Sequence, residues 1–145
     1  MKIFFELKDL DKIIKEYILP FMNKKKIFLF KGALGVGKTT LIKQIMKNCG
    51  IKELITSPTF NYVNNYKSEK NVDFYHFDLY RLDSQDSFLN LGFDEYLYKK
   101  NSYSFIEWPD VIHNITNNIE LRDEICFLEL SFIDNNFEKR MLVIS

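Results

Sequence analysis

Cysteine, histidine, proline and tryptophan are all scarce in this chain: 145 residues hold two, two, three and one of them. Cys49 and Cys126 stand far apart and match no metal or redox spacing. A disulfide scaffold and a cysteine-based metal module are therefore excluded, and both residues read as reduced, small apolar groups. Charge of one sign is missing too, since 20 Lys and Arg balance 20 Asp and Glu. Without a basic excess there is no electrostatic footprint for direct nucleic-acid binding. The one basic run, Lys24-Lys25-Lys26, reads as a solvated loop. No apolar stretch approaches the length of a membrane span, and the first 11 residues are too charged for a signal peptide. A cytoplasmic protein is expected. No repeat, linker or low-complexity segment divides the chain, so residues 1–145 read as one domain.

What is present is a core and one motif. Hydrophobic content of 46%, with 16% aromatic, is ample for a buried core. Residues 32–39 read Gly-Ala-Leu-Gly-Val-Gly-Lys-Thr, a complete G-x-x-x-x-G-K-[ST] phosphate loop. Before it, Ile27-Phe28-Leu29-Phe30 is a continuous apolar run of buried-strand type. After it, Leu41, Ile42, Ile45, Met46 and Cys49 share one helical face, Lys43, Gln44 and Lys47 the other, and Gly50 closes the helix. Strand, glycine loop and helix are the context that turns a motif into a nucleoside-triphosphate site. Gly32, Gly35 and Gly37 let successive N–H groups point inward at phosphate oxygens. Lys38 is expected to reach the β- and γ-phosphates and the Thr39 hydroxyl to ligate Mg²⁺. Leu34, Val36 and Thr40 complete the expected nucleotide-binding set, Thr40 as an ordinary first-turn residue.

The remaining pattern is α/β. Residues 3–5 read as a strand. Asp9 or Asp11 could cap a helix with apolar positions Leu10, Ile13, Ile14, Tyr17 and Ile18, which Pro20 ends or kinks. Residues 59–66 and 72–80 read as two strands, residues 84–98 as short helical pieces, and residues 103–106 as a buried strand. Residues 126–133 and 137–144 form a hairpin around Asp134-Asn135-Asn136. The expected architecture is a single P-loop NTPase-like α/β domain. Its sheet is mixed and mainly parallel, with helices on both faces and a C-terminal antiparallel hairpin.

Hydrolysis requires carboxylates beside the loop. Glu107 directly follows Tyr103-Ser104-Phe105-Ile106, an apolar run ending in an acid, and is expected to organise Mg²⁺. Asp78 follows Phe74-Tyr75-His76-Phe77. Both would stand at the carboxyl ends of strands, where open α/β sheets bind ligands. His76 alternates with Asp78 along its strand and reads as a hydrogen-bonded structural histidine.

Beside the phosphate loop stand Ser57-Pro58-Thr59-Phe60, Tyr75-His76-Phe77-Asp78-Leu79-Tyr80-Arg81, Leu91-Gly92-Phe93-Asp94-Glu95-Tyr96 and Ile106-Glu107-Trp108-Pro109. In this order and spacing the chain resembles the TsaE family, over nearly its whole length. The resemblance implies an ATPase of bacterial tRNA threonylcarbamoyladenosine biosynthesis that uses ATP and Mg²⁺ and docks on TsaD-like and TsaB-like partners. It implies catalytic roles for Asp78, Glu107 and Thr59, the last in a segment that switches with nucleotide state. Trp108 would be core or a docking surface beside the nucleotide, and Arg81 a switch or partner contact. Lys139 and Arg140 are basic groups that could approach the nucleotide. Ala33 departs from the acid common in the family after the first loop glycine, and Val36 from the small residue often found there.

Two other classes stay open on residues alone. A small-molecule or nucleotide kinase needs several arginines and a lid, and only Arg81, Arg122 and Arg140 are present. A non-catalytic nucleotide-binding regulator is opposed by intact Thr39, Asp78 and Glu107. A GTPase is disfavoured by the absence of an N-K-x-D segment.

Overall fold

Four segments dense in buried apolar residues form the centre of a seven-stranded sheet. The computed structural model describes residues 1–58 and 60–145. Its strands are β1 (Lys2–Glu6), β2 (Ile27–Lys31), β3 (Val63–Lys67), β4 (Asp73–Asp78), β5 (Ser102–Glu107), β6 (Ile125–Ile133) and β7 (Asn136–Ile144). They lie in the order β1-β7-β6-β2-β5-β4-β3. β6, β2, β5 and β4 run parallel, while β7 pairs antiparallel with β6, β1 antiparallel with β7, and β3 antiparallel with β4. The expected mixed sheet with a C-terminal hairpin is what forms.

Burial follows position. In β2 and β4 every residue except the last is buried, as strands covered on both faces must be. In β1 buried and exposed residues alternate, as on a strand covered on one face.

Helices cover both faces. On one, α1 (Leu10–Ile13), the turns after it and α2 (Lys38–Asn48) pack Ile14, Ile18, Leu41, Ile42, Ile45 and Met46 onto Phe5, Phe28, Phe30, Phe105, Leu128 and Leu142. On the other, α3 (Gln85–Asn90), α4 (Asp94–Tyr98), α5 (His113–Thr116) and α6 (Ile119–Arg122) help cover Ile27, Leu29, Tyr75, Phe77 and Ile106. No helix among the described residues is long and apolar enough to cross a membrane.

Three sequence expectations are corrected. The helix after β1 keeps α geometry only to Ile13, then widens to a π turn over Ile14–Ile18 and tightens to a 3-10 turn over Leu19–Asn23. Pro20 sits in the first turn of that last segment, where its missing N–H leaves no bond unmade, so it does not end the α geometry. Neither Asp9 nor Asp11 caps a helix end by its side chain. Asp11 instead accepts from Gln44 Nε2 (3.0 Å) and Asn48 Nδ2 (2.9 Å), tying α1 to α2. The strand expected over residues 59–66 begins only at Val63, because Tyr62 turns left-handed (φ 63°).

Candidate nucleotide site

Residues 32–37 join β2 to α2 at the carboxyl end of the parallel strands. Glycine is enforced at Gly32, where a Cβ would lie 2.4 Å from the Leu130 carbonyl oxygen and 2.8 Å from Val36 Cγ1. Gly37 precedes the helix at φ 112°, a region that strains any residue with a Cβ. Val36 is fully buried and anchors the loop, and its carbonyl accepts from Arg140 Nε at 2.9 Å. The 11-residue α2 then directs its unpaired first amides and positive dipole end at the loop.

Lys38 folds back over this loop. Its Nζ donates to the carbonyls of Gly32 (2.7 Å) and Ala33 (2.9 Å) and stands 4.2 Å from the centroid of the Trp108 ring. Burial pushes the ammonium pKa below its ordinary value, while Glu107 and Asp78 pull it back up. Carbonyls and an aromatic face are weak partners for a cation, and a triphosphate is a better one.

The two acids are register partners on adjacent strands, Asp78 ending β4 and Glu107 ending β5. Their surroundings differ. Glu107 is 3% exposed and accepts from Thr39 Oγ1 on both carboxylate oxygens, at 2.9 and 2.8 Å. His76, fully buried, places Nε2 2.7 Å from Glu107 Oε2, so Nε2 carries the hydrogen toward the carboxylate. Asp78 is half-buried, and its Oδ1 accepts from the Tyr80 N–H at 3.1 Å. Burial pushes the Asp78 carboxyl above the usual carboxylate range and Glu107 adds to this, against the Tyr80 N–H, His76 and Lys38.

Trp108 is left-handed (φ 57°) directly after Glu107, which turns the chain out of β5 into Pro109. Its ring meets Tyr80 at 4.9 Å between centroids. Next to it a groove of about 440 Å³ is lined by Leu34, Ser57, Pro58, Phe60, Asp78, Tyr80 and Arg81. Leu34 and Phe60 stand 72% and 83% exposed on its wall.

Of the sequence-predicted residues, the loop glycines, Lys38, Thr39, Asp78 and Glu107 converge on one end of the sheet. Leu34 faces the groove, Val36 faces the core, and Thr40 is exposed on the first turn of α2. Thr59 lies outside the described residues. His76 is hydrogen-bonded, as expected, but to the acid beside the phosphate loop. Its placement two residues before Asp78 on one strand was the available signal. Lys139 is exposed, whereas the neighbouring Arg140 is buried and reaches the loop.

Thr39, Glu107 and Asp78 are hard oxygen donors, the kind Mg²⁺ takes. No cluster of three or more His, Cys, Asp or Glu groups among the described residues could hold a metal by itself. A hydroxyl and one carboxylate suit a Mg²⁺ that draws its other ligands from phosphate and water.

A family model described as threonylcarbamoyl adenosine biosynthesis protein TsaE matches residues 6–140. A Rickettsia felis protein named tRNA threonylcarbamoyladenosine biosynthesis protein TsaE is 35% identical over 147 residues, covering 94% of this chain and 80% of that one. Its namesake in Rickettsia typhi is 34% identical, covering 90% and 83%, and the one in Bacillus subtilis is 31% identical, covering 70% and 61%. The crystal structure of Bacillus subtilis YdiB superposes with a TM-score of 0.65 at 21% identity, covering 99% of this chain and 84% of that one, a likeness of fold.

Proposed function

This chain belongs to the TsaE family of threonylcarbamoyladenosine biosynthesis proteins, and we propose that it is the ATP-hydrolysing subunit of a TsaD–TsaB-like complex in that pathway. One observation carries the reading: Thr39 of the phosphate-loop helix bonds directly to Glu107 at the end of β5, with Lys38 beside them. A helix-start hydroxyl facing a strand-end carboxylate under a glycine loop is the arrangement used for a triphosphate with Mg²⁺.

In this reading Lys38 leaves the Gly32 and Ala33 carbonyls and pairs with the β- and γ-phosphates, which the loop amides also bind. Thr39 and Glu107 would hold Mg²⁺, which would supply charge neutralisation to the triphosphate. His76 keeps Glu107 oriented. Asp78, half-buried and more basic than an ordinary carboxylate, orients a water molecule in line with the γ-phosphorus and accepts its proton. The water oxygen bonds to phosphorus as the bond to the β–γ bridging oxygen breaks, and ADP and inorganic phosphate leave.

Hydrolysis serves the partner. The groove walled by Leu34, Phe60, Tyr80 and Arg81 opens beside Asp78. A partner seated there would sense whether the nucleotide is whole. The test measures ATP hydrolysis with and without a TsaD–TsaB-like pair while threonylcarbamoyladenosine is followed over many turnovers. Expected are weak activity alone, stimulation by the pair, and restriction to about one round with Asp78→Asn. An unchanged rate, with modification proceeding equally well without this chain, overturns the reading.

A further inference from the structure

We propose that Arg140 is the positioning residue that aims the phosphate loop, acting through the Val36–Gly37 peptide it holds. This role rests on the nucleotide reading above and goes beyond it.

Arg140 sits on β7, 104 residues from the loop it grips, and is 6% exposed. Nε donates to the Val36 carbonyl at 2.9 Å, and Nη1 donates to the carbonyls of Phe137 and Lys139. The guanidinium carbon stands 4.3 Å from the centroid of the Phe132 ring. No carboxylate lies in ion-pair range of it among the described residues. A guanidinium stays charged at any physiological pH. A guanidinium held by carbonyls and an aromatic face, with no carboxylate beside it, is an arrangement that stability alone does not favour.

The gain lies in the peptide it holds. The Val36–Gly37 bond is trans, so its C=O and N–H point in opposite directions within one plane. With the Val36 side chain locked in the core and its carbonyl locked on Arg140, that plane cannot rotate. The Gly37 N–H must then point away from Arg140, from the residue that opens α2. A cation on the carbonyl also polarises the peptide, which strengthens its N–H as a donor to an anion. Arg140 therefore acts through Gly37 and touches no nucleotide itself.

Four proteins test this: wild type, R140M, R140K and K139M. K139M removes the same charge one residue away, from an exposed position. Mg·ATP affinity is measured by calorimetry, steady-state rates give KM and kcat, and ¹⁵N–¹H spectra follow the Gly37 amide. R140M is expected to weaken ATP binding about tenfold to hundredfold, as the loss of a charge-assisted contact does. KM rises while kcat stays within about threefold, because the contact is uniform between ground and transition states. The Gly37 amide resonance shifts in R140M, R140K recovers part of the affinity, and K139M matches wild type within about twofold. Thermal unfolding without nucleotide separates the role from simple stability. Affinity lost in R140M at a near-wild-type Tm supports it. Affinity unchanged, with the Gly37 resonance unmoved, overturns it, as does affinity that falls only in step with Tm across R140M and R140K. A wild-type protein that binds no ATP overturns the nucleotide reading, and this role with it.

Discussion

The four parallel strands at the centre of the sheet and the antiparallel strands that flank them divide the work of this molecule. β2, β5 and β4 deliver the loop, Glu107 and Asp78 to one edge, and β6 lays the Leu130 carbonyl against Gly32. All four run in one direction, so their carboxyl ends converge, and the helix that starts there adds its dipole. On the flank, β1 and β7 lie one face on the core and leave Phe4 63% and Phe137 78% exposed. They close the sheet and supply one link to the loop, Arg140. The proposed site follows the shared carboxyl ends of the central strands, and burial follows the number of covered faces.

The sharpest way to break that division is at Lys38. Lys38→Ala is expected to abolish turnover and most ATP affinity, read by hydrolysis and calorimetry, since its ammonium folds over the loop on the Gly32 and Ala33 carbonyls. Equal binding and hydrolysis by this variant would remove the central strands' claim to the chemistry. Next comes Asp78→Asn, expected to bind ATP normally and hydrolyse it about 10²–10⁴-fold more slowly, the usual loss for a water-positioning base. If Asp78→Asn instead abolishes Mg²⁺ binding while Glu107→Gln merely slows turnover, the two strand-end acids exchange roles.

A matched pair of phenylalanines separates centre from flank in stability. Phe28 on β2 is fully buried and stacks on Phe105 at 5.3 Å, whereas Phe4 on β1 faces solvent. Phe28→Ala is expected to cost about 3–5 kcal/mol in denaturant unfolding. Phe4→Ala is expected to stay within about 0.5 kcal/mol. A large loss at Phe4 would mean that the outer face of the flank is covered in the working protein.

How much of this the sequence disclosed depends on the range of each contact. The phosphate loop was legible because its glycines, lysine and threonine act within eight residues and the flanking periodicities are local. Glu107 and Asp78 were legible as acids ending apolar runs, and the final hairpin by its alternation around a turn. The Arg140 grip on Val36 spans 104 residues, and the His76 bond to Glu107 spans 31. No local pattern encodes either distance. The π turn over Ile14–Ile18 was hidden for a related reason: its apolar spacing fits an ordinary helix, and Ile14 and Ile18 reach the core in either winding. The late start of β3 follows from one left-handed residue, Tyr62, a conformation its type does not announce.

The smallest expected effect lies at the seam between the two regions, where Asp11 on α1, the helix after flank strand β1, grips α2 of the centre. Its hydrogen bond from Lys15, then those from Asn48 and Gln44, hold its pKa at about 2, below the usual carboxylate value near 3.8. A lowered carboxyl pKa means the folded state binds the proton less tightly than the unfolded chain. The stabilisation is therefore fully present above the unfolded value and is lost as pH falls through about 2. Because the side chains of Asp11 and Lys15 are 46% and 59% exposed, solvent and salt screen much of it. Asp11→Asn keeps the shape but not the charge. Denaturant unfolding of wild type and this variant at neutral pH should show a small deficit for the variant. The two curves should converge between about pH 4 and pH 2, as the wild-type carboxylate takes up its proton. Curves that coincide at every pH would show that the flank holds α2 by packing alone, with Ile14 and Ile18 doing what the carboxylate was expected to share.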